Sequence, residues 1–418
     1  MLFNSKKQLR LSVANSINRS QKINFIFDNK KLIGYEGDTL ASALLANGIH
    51  LVGRSFKYHR PRGILSSGCE EPNALVTLKT DDNIEPNLKA TEVEIFQDMV
   101  VESQNRFPSL KFDLASSFSL FSSLIPAGFY YKTFMWPKSF SMLYQTFIRK
   151  MARLGNPPKL KRVEDRFEKK YYHVDLLIVG GGPCGLIAAL QAINTNQRVL
   201  LCETDKNFGG WLHSDDKIKI NGKSALEWKN QILEKLSNSK NINLLNRTTV
   251  FNYEDHNYLT LTQRVANHLK KKPKHLPKMR MWKVRAKQVI LATGCLERPL
   301  IFQGNDLPGI MLASSVLTYI NRYGVLPGKS PVIVTNNDTA YLTALRMKEV
   351  GCDVKMIIDL RHSTQSRLIK LVKNQKIEIL NGYTIIEATG NFHVNRIKIA
   401  KFDKNYNISS NPEYVDCD

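Results

Sequence analysis

The chain has 418 residues, of which 43% are hydrophobic, and a net charge of +23. That length exceeds one ordinary core and points to two or three domains, and the apolar content excludes a disordered chain. No stretch reaches the roughly 18–20 uninterrupted apolar residues of a membrane helix, because the nearest, Leu114–Trp136, is broken by serines, Pro126 and Lys132. The positive charge raises three partner classes: nucleic acid, a membrane surface or an acidic protein. Six cysteines are scattered singly with no CxxC, which suits reduced thiols and a cytoplasmic setting.

Residues 1–21 form a basic arm without the apolar core or cleavage site of a secretory signal. Residues 22–110 then read as a small β-grasp domain. Ile23–Phe27 and Lys31–Tyr35 are strands joined at Asp28-Asn29, and Thr39–Ala46 is a helix capped by Asp38 and ended by Asn47-Gly48. Ala74–Lys79 and Thr91–Phe96 are further strands. The order resembles the ferredoxin-like domain that carries a [2Fe–2S] cluster. Such a cluster needs four thiolates, and this region holds only Cys69, so no metal is expected. Residues 111–170 read as a linker, with aromatic residues Phe129–Tyr131, Phe134 and Trp136 and a break at Gly155–Pro158.

From 171 to 418 strands and helices alternate as in a doubly wound α/β sheet that binds dinucleotides. The segment DLLIVGGGPCG, 175–185, is a buried strand followed by Gly180, Gly182 and Gly185 at GxGxxG spacing. Gly180 suits a tight turn, Gly182 close approach of a pyrophosphate, and Gly185 close helix–strand packing. Pro183 opens the helix, whose free N–H groups favour an anion. A second strand, Arg198–Glu203, ends 18 residues after the last glycine on an acid placed to accept from a ribose. Phe208-Gly-Gly-Trp211 follows, where Gly210 lets a loop approach the cofactor. The strand ending on Ala292-Thr293-Gly294 adds Thr293 and Gly294 as weaker candidates.

Residues 331–360 repeat the strand–helix–strand shape, but their turn reads Thr335–Ala340 without glycine, and Asp338 would repel a phosphate. This degenerate second unit is expected to bind nothing, which disfavours a reductase passing hydride between two sites. Residues 262–290 carry ten Lys or Arg and no acid, broken by Pro273 and Pro277, and read as an exposed loop. No helix-turn-helix, RNA-binding or zinc-finger pattern supports nucleic-acid binding. Glu413–Asp418 reads as the start of a buried strand, so the nucleotide domain is expected to be incomplete at its C-terminus and the chain a fragment.

Seven segments resemble the α subunit of heterotetrameric sarcosine oxidase. They are YEGDTLASALLANGI (35–49), RSFKYHRPRGILSSGCEEPNALV (54–76), PAGFYYKTFMWP (126–137), VGGGPCGL (179–186), TTVFNYEDHNY (248–258), WKVRAKQVILATGCLERPLIF (282–302) and VTNNDTAYLTA (334–344). The resemblance implies an NAD-holding α subunit that works with β, γ and δ subunits. The complex oxidises sarcosine to glycine with peroxide and formaldehyde, or forms methylenetetrahydrofolate when tetrahydrofolate is present. It also implies FAD on β, FMN between α and β, no catalytic acid or base on this chain, and the Val250 backbone as a further weak contact. A folate domain that the family carries is not in this sequence.

From the residues alone Glu203 fits NAD and FAD equally, since both carry an adenosine ribose. The alternatives are therefore a self-sufficient FAD amine or amino-acid oxidoreductase, a subunit of an opine oxidase or hydrogen cyanide synthase, or a basic nucleic-acid binder with a vestigial nucleotide fold.

Overall fold

A computed structural model describes residues 9–12, 16–80, 83–117, 119, 137–140, 142–146, 165–215, 217–271 and 273–418. Most of the 111–170 linker, including its aromatic cluster and the Gly155–Pro158 break, lies outside the described residues.

The first domain is a five-stranded sheet with one helix. Strands β1 (Asn18–Phe27) and β2 (Lys30–Glu36) form a hairpin, followed by helix α1 (Leu40–Ala46), β3 (Leu75–Thr80), β4 (Asn83–Lys89) and β5 (Met99–Ser103). The sheet order is β2-β1-β5-β3-β4, with β1 and β5 parallel. Every residue of α1 is buried, because the helix is small enough (LASALLA) to lie wholly inside the domain. Two expectations are corrected here. Thr39, not Asp38, caps α1, through a reciprocal pair with Ser42. Asp38 instead accepts from Ser42 Oγ at 2.6 Å and pairs with Arg10, so part of the basic N-terminal segment is docked. Residues 91–96 make no strand. They form a turn tied to α1 through the Thr39–Glu94 bridge and the bond from Leu40 N to Val93 O.

The second sheet runs β8-β7-β6-β11-β10-β9. It comprises β6 (Phe167–Val179), β7 (Val199–Cys202), β8 (Ile242–Leu245), β9 (Thr248–Glu254), β10 (Tyr258–Arg264) and β11 (Met279–Leu291). Strand β6 lies in the middle, parallel to both β7 and β11. Its continuous run Leu176–Ile178 is buried because a central parallel strand is covered on both faces. Helices α2 (Pro183–Gln191) and α3 (Ala225–Ser237) supply one cover, packing Leu186, Ala189, Trp228 and Ile232 against it. The β9–β11 meander flanks the other edge.

After helix α4 (Ala313–Asn321), a second α/β unit follows: β12 (Val332–Thr335), α5 (Thr339–Glu349), β13 (Met356–Asp359), α6 (Arg367–Asn374) and β14 (Glu378–Asn381). Its three strands are parallel, in the order β12-β13-β14. An antiparallel sheet, β15 (Tyr383–Thr389), β16 (Arg396–Lys401) and β17 (Glu413–Asp416), packs beside it. The expectation of a buried strand at 413–418 is corrected. Strand β17 is the edge of this sheet, and Glu413, Tyr414 and Asp416 are exposed.

The domains share cores. Tyr319 and Tyr323, at the end of α4, are fully buried among Phe25, Leu44 and Met99 of the first domain. Of the basic 262–290 segment only the stretch between β10 and β11 is a loop, exposed at Lys270, Lys271, Lys274 and His275; the rest is strand, and several of its cations act as clamps. Lys278 is buried and donates to Asp165 at 2.8 Å and to Glu85, Arg280 pairs with Glu168, and Lys270 pairs with Asp98. Long cationic side chains stretch to distant carboxylates here, and sequence distance conceals those pairs. Among the described residues no helix is long and apolar enough to cross a membrane.

Candidate dinucleotide-binding site

The chain leaves β6 at Gly180 with φ +105°. A side chain there would sit 2.3 Å from the Ala292 carbonyl at the end of β11, so both the dihedral and the space demand glycine. Helix α2 starts at once, with Gly182 as N-cap and Pro183 in the first turn. A Cβ on Gly185 would lie 1.9 Å from the Gly180 carbonyl, which is the close helix–strand approach expected of it. Gly182 is different: a Cβ there meets nothing within 4 Å. The space in front of the helix N-terminus is open.

The Phe208–Trp211 loop folds onto this turn. Gly209 N donates to Gly181 O at 2.8 Å, and a Cβ on Gly210 would be 3.2 Å from the Gly182 Cα. Glu203, at the end of β7, accepts from Gly181 N at 2.8 Å through Oε2 and from Asp205 N at 2.9 Å through Oε1. Each oxygen keeps a lone pair for a hydroxyl. Burial pushes the Glu203 carboxyl up, and the backbone N–H donors of Asp205 and Gly181 oppose the rise.

Thr293 and Gly294 are exposed and follow β11 directly beside Gly180. Val250 sits on β9 opposite Leu261, one residue from Thr249, whose hydroxyl reaches Thr204 Oγ1 at 3.4 Å. The structure thus brings Gly180, Gly182, Pro183, Gly185, Glu203, Gly210, Thr293 and Gly294 to one end of the sheet. Val250 lies two residues beyond Thr248, whose N–H donates to Glu203 O at 2.7 Å.

A cleft of about 330 Å³ opens from Glu203, Thr204 and Gly210 and is walled opposite by Gly68, Cys69 and Glu70 of the first domain. The sequence offered no sign of that wall, which lies over 100 residues away. A more apolar cavity of about 180 Å³ surrounds Val332–Val334 and contains none of the site residues above.

Behind the cleft, Asp205 forms a bidentate pair with Arg322, at 2.6 and 2.7 Å. Burial alone would raise the Asp205 carboxyl, but the Arg322 charge and hydrogen bonds outweigh it and hold it below the usual range. Nearby, His213 Nε2–H donates to Phe208 O at 2.8 Å, and burial, aided by Arg322, pushes this imidazole down to about 4 from 6.5. A histidine that resists charging in the folded state favours the fold above pH 6.5, and that contribution is lost as pH falls toward 4. The loss is on the order of 3 kcal/mol. Urea unfolding at stepped pH should show stability falling over this window, with a shallower slope in His213→Gln; an unchanged slope would remove the assignment.

The glycine turn, the paired acid and the two α/β units define an FAD/NAD-binding oxidoreductase fold preceded by a ferredoxin-like domain. Residues 174–410 match the pyridine nucleotide-disulphide oxidoreductase family, and 20–106 match the 2Fe-2S iron-sulfur cluster binding domain. The chain belongs to the pyridine nucleotide-disulphide oxidoreductase family. Its particular relatives include the sarcosine oxidase alpha subunit of Rhizobium meliloti (strain 1021), 46% identical over 84% of this chain and 36% of that relative. An opine oxidase subunit from Agrobacterium tumefaciens (strain Ach5) is 27% identical over 45% of this chain and 37% of that relative. Among solved structures, L-proline dehydrogenase from P. horikoshii shares the fold, with TM-score 0.57 and 20% identity over 97% of this chain and 60% of that one. The chain spans little more than a third of the length of the curated relatives it matches.

Cys69 is the sole cysteine in 20–106, and no cluster of three or more metal-ligating side chains occurs among the described residues. The purified chain is expected to contain no stoichiometric iron or acid-labile sulfide; elemental analysis showing two of each per chain would overturn this.

Proposed function

We propose that this chain is the NAD-holding subunit of a heteromeric flavin-dependent sarcosine oxidase. The observation that carries the dinucleotide part of the reading is the Glu203 carboxylate, fixed by Gly181 N and Asp205 N; the choice of NAD and of sarcosine rests on the likeness to the sarcosine oxidase alpha subunit. Here the chain's own residues bind and orient. The α2 N-terminus presents free N–H groups to the pyrophosphate, Glu203 accepts from the adenosine ribose hydroxyls, and Gly210, Thr293 and Gly294 border the path of the linkage. Bound NAD would supply a nicotinamide redox couple, while amine oxidation, with peroxide and formaldehyde or methylenetetrahydrofolate as products, belongs to FAD and FMN in the assembly with β, γ and δ. No residue of this chain is assigned as catalytic acid or base.

FAD is the second reading, because its ribose is the same. A self-sufficient FAD oxidoreductase would follow from it, or a component of an opine oxidase, as the weaker relative suggests. Mass spectrometry of the nucleotide released from the heated chain separates these: NAD supports the first reading, FAD with a yellow protein the second. A chain that binds neither by calorimetry would sink both.

Glu203→Ala is expected to weaken dinucleotide binding by about 1.5–3 kcal/mol, tenfold or more, since a charge-assisted bond is lost. Glu203→Gln keeps one acceptor oxygen and should lose less. The alanine variant should also melt lower, because Gly181 N and Asp205 N lose their acceptor. Equal affinity of wild type and Glu203→Ala by calorimetry would contradict the ribose assignment.

A further inference from the structure

We infer that the first domain is a working wall of the dinucleotide site, and that its Gly68–Glu70 loop covers the uncharged nucleoside end of the ligand; this rests on the reading of Gly180–Glu203 as that site. A domain that merely packs would fill its interface with side chains. Here the two domains meet around a cleft of about 330 Å³, at the lower end of small-molecule sites, with Glu203 on one side and Cys69 on the other.

The wall is rigid and riveted. The Glu71 carboxylate, buried, accepts from Leu65 N, Ser66 N, Asn73 N and Ala74 N at 2.7–3.0 Å, which pins both ends of the loop. Thr91 Oγ1 donates to Gly68 O at 2.7 Å, and Tyr319 Oη to Ser66 O at 2.8 Å. Three cations near the ends of the nucleotide-binding strands reach across. Arg264 donates to both Glu92 O at 2.7 Å and Thr204 O at 3.0 Å. Arg247 makes a bidentate pair with Glu94 at 2.6 and 2.8 Å, and Lys206 donates to Gly37 O at 2.6 Å. Thr204 and Lys206 directly flank Asp205 on the segment that leaves Glu203, so the rivets hold the first domain against the ribose-binding strand end itself.

The charge of the wall decides which part of a dinucleotide it meets. Burial, then Glu70 and Glu92, raise the Cys69 thiol. Among the described residues six carboxylates against three cations line the cleft, and Arg322 is paired with Asp205, so the surplus acid at Glu70, Glu92 and Glu203 repels phosphate and accepts from hydroxyl and amino groups. The pyrophosphate lies at the α2 N-terminus; the ribose and base lie under Cys69. A ribose bearing a 2′-phosphate is rejected.

Cysteine footprinting tests this on the intact chain. Cys69 and Cys295 are exposed in the cleft, and Cys417 lines the other cavity as an internal control. Maleimide labelling is followed per cysteine by peptide mass spectrometry, with binding of NAD or FAD confirmed by calorimetry in the same sample. The bound dinucleotide is expected to slow labelling of Cys69 tenfold or more, to leave Cys417 unchanged, and to lose its effect in Gly182→Val; NADP at the same concentration should not protect. A Cys69 rate unchanged by a dinucleotide that calorimetry shows to be bound overturns the wall while leaving the glycine-turn site standing. Protection of Cys69 by NADP equal to that by NAD overturns the charge argument. Absence of any dinucleotide binding overturns both readings.

Discussion

Replacing Gly182 by valine is expected to abolish dinucleotide binding, by about 100-fold or more, while the fold survives. Gly182 lies at φ −72° and ψ −173°, extended backbone that valine readily adopts. A Cβ there meets nothing within 4 Å, so the substitution costs the apo protein little. On the proposed dinucleotide reading, a pyrophosphate at the α2 N-terminus occupies this same open volume, and a branched side chain would fill it. The contrast with Gly185 is instructive. Alanine there would bring a methyl group to 1.9 Å from the Gly180 carbonyl, so lost binding would report lost structure. Calorimetry with NAD and FAD, alongside a thermal melt, checks the prediction. A Gly182→Val chain that melts like wild type and still binds would place the ligand elsewhere.

Asp205→Ala is expected to destabilise the protein by about 3 kcal/mol. The substitution strands the Arg322 guanidinium, whose side chain is 8% exposed, without the carboxylate that neutralises it. The figure is set at the lower end for a broken buried pair because Asp205 is 34% exposed toward the cleft and water there offsets part of the loss. Replacing both partners, Asp205→Leu with Arg322→Met, should recover much of the stability, since the desolvation cost of two charges disappears with them. Denaturant unfolding of the two single variants and the double variant reads this directly. Additive losses in the double variant would show that the pair is not coupled.

Local physics made much of this protein legible from its residues. The continuous apolar run Leu176–Val179, the three glycines, Pro183 and the acid at 203 each act within one βαβ unit, and the structure places them at one sheet end as the spacing requires. The second unit is equally readable, because strand and helix periodicities are local. Misreadings arose where the deciding partner was remote or the alternatives were degenerate. Asp38 and Thr39 are both good caps; Arg10 and Ser42 claim Asp38, which leaves Thr39 to cap. The 91–96 segment alternates like a strand, but the bridge and backbone bond to α1 hold it as a turn.

The division follows from the range of the forces. Periodicity, glycine sterics and cysteine count are properties of neighbours in the chain, so the sequence alone determined a strand–glycine turn–helix at Gly180–Gly185, a second α/β unit without glycines in its turn, and a ferredoxin-like domain with one thiol. Ion pairs and shared cores join residues that no pattern links. Only the tertiary structure decided that the basic 262–290 segment clamps domains together, that Tyr319 and Tyr323 complete the first domain's core, and that Cys69 faces Glu203 across one cleft. Long side chains such as Arg247, Arg264 and Lys278 can reach a carboxylate or carbonyl anywhere the fold brings one, and the packing of both domains selects which.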